Sequence, residues 1–151
     1  KIWGKNGISF RRTQRVDILV HITICIMKTI LIIDDEAALQ KTMGDVLSQE
    51  GYEVHSALDG EAGVRLAKEK TPDLVLLDLV LPKMTGFEVL EQLRGGEETK
   101  RVPVIVLTNL ENLQDIQRVT DLGATTYLVK SNYDLSEVVL KVKVALGDNE
   151  G

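Results

Sequence analysis

Asp34-Asp35-Glu36, Asp78, Thr108 and Lys130 are the residues of this chain best suited to chemistry, because each follows directly on an apolar run instead of lying in a solvated loop. Carboxylates held 4 Å apart repel by about 4 kcal/mol at an effective dielectric of about 20, so an acidic cluster must protonate, separate or bind a cation. All-oxygen donors with room for water favour Mg²⁺, which keeps several waters and uses one or two carboxylates plus a phosphate oxygen. Such an ion would shield Asp78 from an incoming phosphoryl anion, and a shielded aspartate can act as a nucleophile that forms an acyl phosphate. Taken singly, the same residues have plainer readings. Asp34-Asp35 could cap a helix, Asp78 could be a strand-end carboxylate, and Thr108 could be a β-branched packing residue.

The elements that must bring these residues together are legible in the patterning. Apolar runs at Ile30 to Ile33, Glu53 to Ser56, Leu74 to Leu77, Val104 to Leu107 and Thr126 to Val129 alternate with helical periodicity, as in a parallel sheet covered on both faces. The second run is polar enough for an edge strand, and the others read as buried. Leu39, Met43, Val46 and Leu47 stripe the first helix, with Gly51 as its left-handed end. A second helix starts at Asp59 as N-cap and stops before Thr71-Pro72, and Phe87 to Arg94 and Leu113 to Leu122 supply the third and fourth. The fifth has a capping-box pattern at Asp134 and Glu137, a stripe of Leu135, Val138, Val139 and Val142, and Gly147 as its stop. Right-handed crossovers turn this into an α/β doubly wound (βα)₅ fold of flavodoxin-like order 2-1-3-4-5. In that order the winding reverses between strands 1 and 3, so the carboxylates meet at one crevice, with a hydroxyl and an ammonium beside it.

Ile30-Leu-Ile-Ile-Asp-Asp-Glu36, Asp73-Leu-Val-Leu-Leu-Asp-Leu-Val-Leu-Pro-Lys-Met-Thr-Gly86, Val102-Pro-Val-Ile-Val-Leu-Thr108 and Gly123-Ala-Thr-Thr-Tyr-Leu-Val-Lys130 together resemble the receiver family of two-component signalling, in order and at matching spacing. The resemblance covers about residues 27 to 147. It implies that Asp78 is the phosphoacceptor, that Asp35, Asp78 and the backbone carbonyl of Val80 ligate Mg²⁺ with Asp34 holding it through water, and that Thr108 and Lys130 bind phosphoryl oxygens. It also implies a switch in which Thr108 is drawn to the phosphoryl group, the Tyr127 ring turns inward, and the surface of helix 4, strand 5 and helix 5 is remodelled. Gly86 and Pro82 match family loop positions. His21 and His55 match no family site, and Glu36 reads equally as a companion of the acid pair and as an acid at a positive helix end.

Two departures carry consequences. Ser131 follows Lys130 where the family usually has proline in a cis peptide; a cis bond before a non-proline residue costs about 3 to 4 kcal/mol, which favours a trans loop and loosens the placement of the lysine. Two residues beyond Asp78 and Thr108 stand Val80 and Leu110, both apolar where the family positions or admits the hydrolysing water, so a slowly dephosphorylating switch is expected.

Composition bounds the remainder. The first 26 residues hold five basic side chains against Asp17, a net charge of +4, which leaves −9 for the rest of a chain whose total is −5. So acidic a domain, with no basic stripe, is expected to contact proteins and not nucleic acid. Cys25, the single cysteine, has no internal partner, as in a reduced cytoplasm. The apolar stretch from Ile18 is broken by His21 and Lys28 and falls short of the roughly 20 residues of a membrane span. Residues 1–26 read as an extension, disordered or upstream of a true start at Met27; residues 27–147 read as the receiver and 148–151 as a tail too short for an output domain. The expected protein is a bacterial, cytoplasmic response regulator, monomeric or dimerising on phosphorylation, served by a histidine kinase or phosphotransfer protein and turning over no separate substrate. Its rival is a pseudo-receiver that docks partners without phosphorylation. A dehalogenase-like phosphatase would want an acid at position 80, and a nucleotide binder a glycine loop where Asp34-Asp35-Glu36 stands.

Overall fold

Alternate residues of the central strands are apolar on both sides of the chain, and the structure shows where each set goes. The computed structural model describes residues 27–109, 112–131 and 134–148. Strands β1 (Thr29–Ile33), β2 (Glu53–Ala57), β3 (Leu74–Asp78), β4 (Val104–Thr108) and β5 (Thr126–Val129) alternate with helices α1 (Ala37–Gln49), α2 (Gly60–Lys70), α3 (Gly86–Gly95), α4 (Leu113–Asp121) and α5 (Leu135–Leu146). The strands form one parallel sheet in the order β2-β1-β3-β4-β5. Leu31, Ile33, Val75, Leu77, Val104 and Val106 face Val64 and Ala67 of α2, Val89, Leu90 and Leu93 of α3 and Val119 of α4. Ile30, Ile32, Leu74, Leu76, Ile105 and Leu107 face Met43 and Leu47 of α1 and Val138 and Val142 of α5. Each fully buried aliphatic side chain contributes about 1.5 to 3 kcal/mol, so these two layers fix how the strand ends are presented.

The local signals foreseen in the sequence are used largely as expected. Asp59 accepts the Ala62 N–H at 2.8 Å and caps α2, which ends at Thr71 with φ 41° just before Pro72. Gly51 and Gly147 take positive φ, 97° and 73°, beyond α1 and α5, where a Cβ would be strained. No peptide bond among the described residues is cis.

Three expectations, and one of the plainer alternatives, need correction. β5, placed at an edge by the expected order but read as buried, is half-exposed, because among the described residues only β4 pairs with it. The buried face of α1 is Gln40, Met43 and Leu47, whereas Leu39 and Val46 are only partly covered. The N-cap of α1 is Glu36, so neither Asp34 nor Asp35 caps that helix. At α5, Asp134 accepts the Glu137 N–H, but the full reciprocal capping box is at Thr85 and Glu88, opening α3.

Candidate functional site

β1 and β3 are neighbours running in parallel with Ile33 opposite Leu77, so the residues that follow them, Asp34 and Asp78, emerge side by side. Both are buried, 1% and 5% exposed. Asp34 is held by its own N–H, which donates to the Ala57 carbonyl at 3.1 Å, and by its Oδ1, which accepts the Glu36 N–H at 2.9 Å. Asp78 Oδ1 accepts the Val80 N–H at 3.2 Å. Asp35 is exposed, yet it offers an oxygen that lies with one from Asp34 and one from Asp78 inside a span of 4.8 Å.

Lys130 arrives from the end of β5, its N–H donating to the Thr108 carbonyl at 2.9 Å. Its ammonium reaches Asp34 Oδ2 at 2.7 Å, Asp78 Oδ2 at 3.0 Å and Glu36 Oε1 at 3.3 Å. Burial pushes the Asp78 carboxyl above the ordinary carboxylate range, against the pull of Lys130. Burial alone would lower the Lys130 ammonium, but its hydrogen bonds to Asp34 and Asp78 raise it above the usual lysine range, so it stays charged. Three carboxylates thus share one ammonium, with Asp35 beside them, and the pocket keeps an excess of negative charge. Three converging carboxylate oxygens suit a hard divalent cation such as Mg²⁺.

The loop after β3 closes tightly. A Cβ on Gly86 would lie 2.3 Å from the Asp78 carbonyl oxygen and 2.5 Å from Leu79 Cα, so any larger residue would push the loop off the acidic pocket. Val80 in that loop has its side chain 61% exposed. Thr108 is buried at the end of β4, while Tyr127 on β5 is exposed. Between them lies a crevice too tight for water, bounded also by Val106, Ile116 and Val119. An open groove runs from Lys130 between the start of α1 and the loop before α5, past Ala38, Leu39, Thr42, Ser131 and Leu135.

With this geometry in view, the comparisons are unambiguous. The model of the response regulator receiver domain matches residues 30–143. The chain belongs to the response regulator receiver family. It is 42% identical over 120 residues to the DNA-binding dual master transcriptional regulator RpaA of Synechocystis, a match covering 80% of this chain and 49% of that protein. To the alkaline phosphatase synthesis transcriptional regulatory protein PhoP of Bacillus subtilis it is 36% identical over 123 residues, covering 82% and 50%. The chain therefore spans about half the length of these curated relatives. Among solved structures, the chemotaxis protein CheY4 of Vibrio cholerae superposes with a TM-score of 0.75 at 28% identity, over 80% of this chain and 99% of that one. A response regulator from Chloroflexus aurantiacus gives 0.74 at 30% identity, over 80% and 98%. Receivers of two-component systems typically bind Mg²⁺ at an acidic cluster, and Asp34, Asp35 and Asp78 form one here. Among the described residues no helix is long and apolar enough to cross a membrane.

Of the residues singled out in the sequence, the receiver fold brings Asp34, Asp35, Asp78 and Lys130 into direct reach and sets Thr108 on the adjoining strand end. Leu110 and His21 lie outside the described residues, and His55 pairs with Glu53 on the edge strand at 2.9 Å. Sequence reasoning missed Gln40, whose buried amide donates to the carbonyls of Ile32 (3.4 Å) and Ala57 (2.5 Å) just behind the acidic pocket. The available signal was a glutamine in register with Met43 and Leu47. Glu36, read either as a companion of the acid pair or as a helix-end acid, turns its side chain to Lys130.

Proposed function

We propose that this receiver is a phosphorylation switch in which Asp78 accepts a phosphoryl group from the phosphohistidine of a histidine kinase or phosphotransfer protein, and in which a protein partner reads the altered surface. The observation that supports it best is the buried Asp78 carboxylate, gathered with two further aspartates and a charged lysine at the mouth of a groove that admits a donor. In this reading an Asp78 oxygen attacks phosphorus in line. The P–N bond breaks with its electron pair going to the donor imidazole, which takes a proton from solvent, and an acyl phosphate remains. Asp35, Asp78 and the carbonyl of Val80, with Asp34 through water, would hold a Mg²⁺ ion that neutralises charge on the phosphoryl oxygens. Lys130 leaves Asp78 for one of those oxygens and Thr108 donates its hydroxyl to another.

Drawing Thr108 toward the phosphoryl group widens the crevice beside it, and the Tyr127 ring turns in. Since that crevice is too tight for water in the present state, the ring can enter only if α4 moves with it. The surface of α4, β5 and α5 is then the output. Residues 27–147 form the switch domain, acting in the cytoplasm through protein contact, turning over no separate substrate and, by its acidity, not touching nucleic acid itself. Val80 and Leu110 offer no hydrogen bond to an attacking water, so the acyl phosphate should last minutes or longer without a phosphatase, and a lifetime of seconds would contradict this.

Intact-protein mass spectrometry after incubation with acetyl phosphate, with and without Mg²⁺, tests the switch. A single phosphoryl adduct that requires Mg²⁺ and is absent in Asp78→Asn is the expected result. A folded wild type that takes no adduct would overturn the reading in favour of partner binding independent of phosphorylation.

A further inference from the structure

Glu36 occupies the N-cap position of α1, where a short polar side chain normally accepts a hydrogen bond from the first turn. Its side chain makes no such bond. Instead Oε1 lies 3.3 Å from Lys130 Nζ, across 94 positions of sequence, while the Glu36 N–H is tied to Asp34 Oδ1 at 2.9 Å. The three carboxylates on the ammonium are not equivalent. Asp34 and Asp78 belong to the cluster whose oxygens converge within 4.8 Å, and both are buried. Glu36 stands outside that cluster with its side chain 58% exposed. A cation seated among the oxygens of Asp34, Asp35 and Asp78 lies against carboxylates that Lys130 holds and repels its ammonium, and among the described residues Glu36 is the partner of that ammonium standing outside the cluster.

We propose that Glu36 is a positioning residue, an outer berth that keeps Lys130 at the pocket mouth when the aspartates are taken by a divalent cation. It acts through Lys130 and touches neither the cation nor the phosphoryl group, and the proposal rests on the metal-dependent switch described above. Without the berth, Lys130 sits more firmly on Asp34 and Asp78 and competes with the cation. Glu36→Gln therefore weakens Mg²⁺ binding about threefold to fivefold, the scale of one partly exposed charge pair.

Calorimetric titration of the whole chain with Mg²⁺ tests this, using wild type, Glu36→Gln, Glu36→Asp, Lys130→Met and the double variant Glu36→Gln/Lys130→Met, with thermal melts to confirm folding. Glu36→Asp keeps the charge but is one methylene too short to reach Lys130, so it should behave like Glu36→Gln. The effect of Glu36→Gln should vanish when Lys130 is already methionine. A Glu36→Asp variant that binds as wild type does, or equal factors with and without Lys130, would overturn the berth and leave Glu36 as a simple source of negative potential. Wild type that binds no Mg²⁺ at millimolar concentration would instead overturn the metal-dependent switch, and the berth with it.

Discussion

The two sides of this sheet are built to different standards. Around β1, β3 and β4 nearly every strand residue is buried, β3 and β4 throughout, and α3 contributes five buried residues to the layer beneath the loop that follows Asp78. At the other edge, β5 has no fully buried residue, α4 has one in Val119, and Leu113, Tyr127, Leu140 and Val144 are exposed. The acidic pocket thus rests on the part of the molecule with most to lose by moving, and the proposed output surface on the part with least. Local opening costs little where few apolar contacts must break. A switch needs this division, since the site must hold a fixed geometry while the surface changes.

Truncation on the two sides should give the largest difference. Leu76, fully buried at the centre of β3, should cost about 2 to 5 kcal/mol on substitution by alanine, through lost transfer energy and the cavity left behind. Leu128 on β5, packed against the same layer but only partly buried, should cost about 1 to 2 kcal/mol. Urea unfolding of Leu76→Ala and Leu128→Ala measures both, and equal losses would erase the contrast.

A second test sharpens where α5 belongs. Its carboxyl end is tied to the sheet by Lys28, which donates to the Leu146 carbonyl and to Asp148, each at 2.7 Å, while the Tyr52 hydroxyl donates to Asp148 at 3.0 Å. Burial, with the Asp148 carboxylate close by, pushes the Tyr52 phenol from its ordinary 10.0 up to about 12. The folded state therefore keeps a proton that the unfolded chain releases above pH 10. Stability from this group is full below that pH and is lost as the pH rises toward about 12. Tyr52→Phe should flatten the decline of melting temperature across that window, and an unchanged slope would show that the tie does not hold the helix end. At the acid end the sign reverses, because Lys28 holds the Asp148 carboxyl below its usual range and that contribution fades as the carboxylate protonates.

How much of this could be read from the residues follows from range. All five strands, the caps at Asp59 and Gly147 and the convergence of Asp34, Asp78 and Lys130 are local patterns joined by one topological rule, and the structure keeps them. What escaped depends on contacts far apart in the chain. β5 reads as a buried strand because its residues are β-branched and aromatic, but its place at the end of the order leaves it half-exposed, with β4 its one strand partner among the described residues. Gln40 looks like a surface residue until two carbonyls, Ile32 and Ala57, need a donor behind the pocket. Glu36 reads equally as a helix-end acid and as a companion of the acid pair until Lys130, just beyond the last strand, comes within reach. Arg94 resembles an ordinary last-turn base, yet it donates to the carbonyls of Thr99, Lys100, Val102 and Gly123 and joins two loops that nothing in their composition pairs.

The smallest expected effect is the most specific to the mobile side. Arg118 on α4 places its guanidinium carbon 4.0 Å from the centre of the Phe87 ring on α3, so the weakly packed helix is held to the well-packed one by a cation over an aromatic face. At an exposed site such a contact is worth about 0.5 to 1 kcal/mol, too little to move global stability far but comparable with what holds a helix that has a single buried residue. Arg118→Ala should therefore leave the unfolding midpoint nearly unchanged while speeding amide exchange in Leu113–Asp121 several-fold, with the amides of Gly86–Gly95 unaffected. If both helices accelerate together, α3 and α4 open as one unit and the boundary between the fixed and the movable side lies beyond α4. If neither does, the apolar contacts of Val119 anchor α4, and the proposed inward turn of Tyr127 would have to work against those contacts instead of against Arg118.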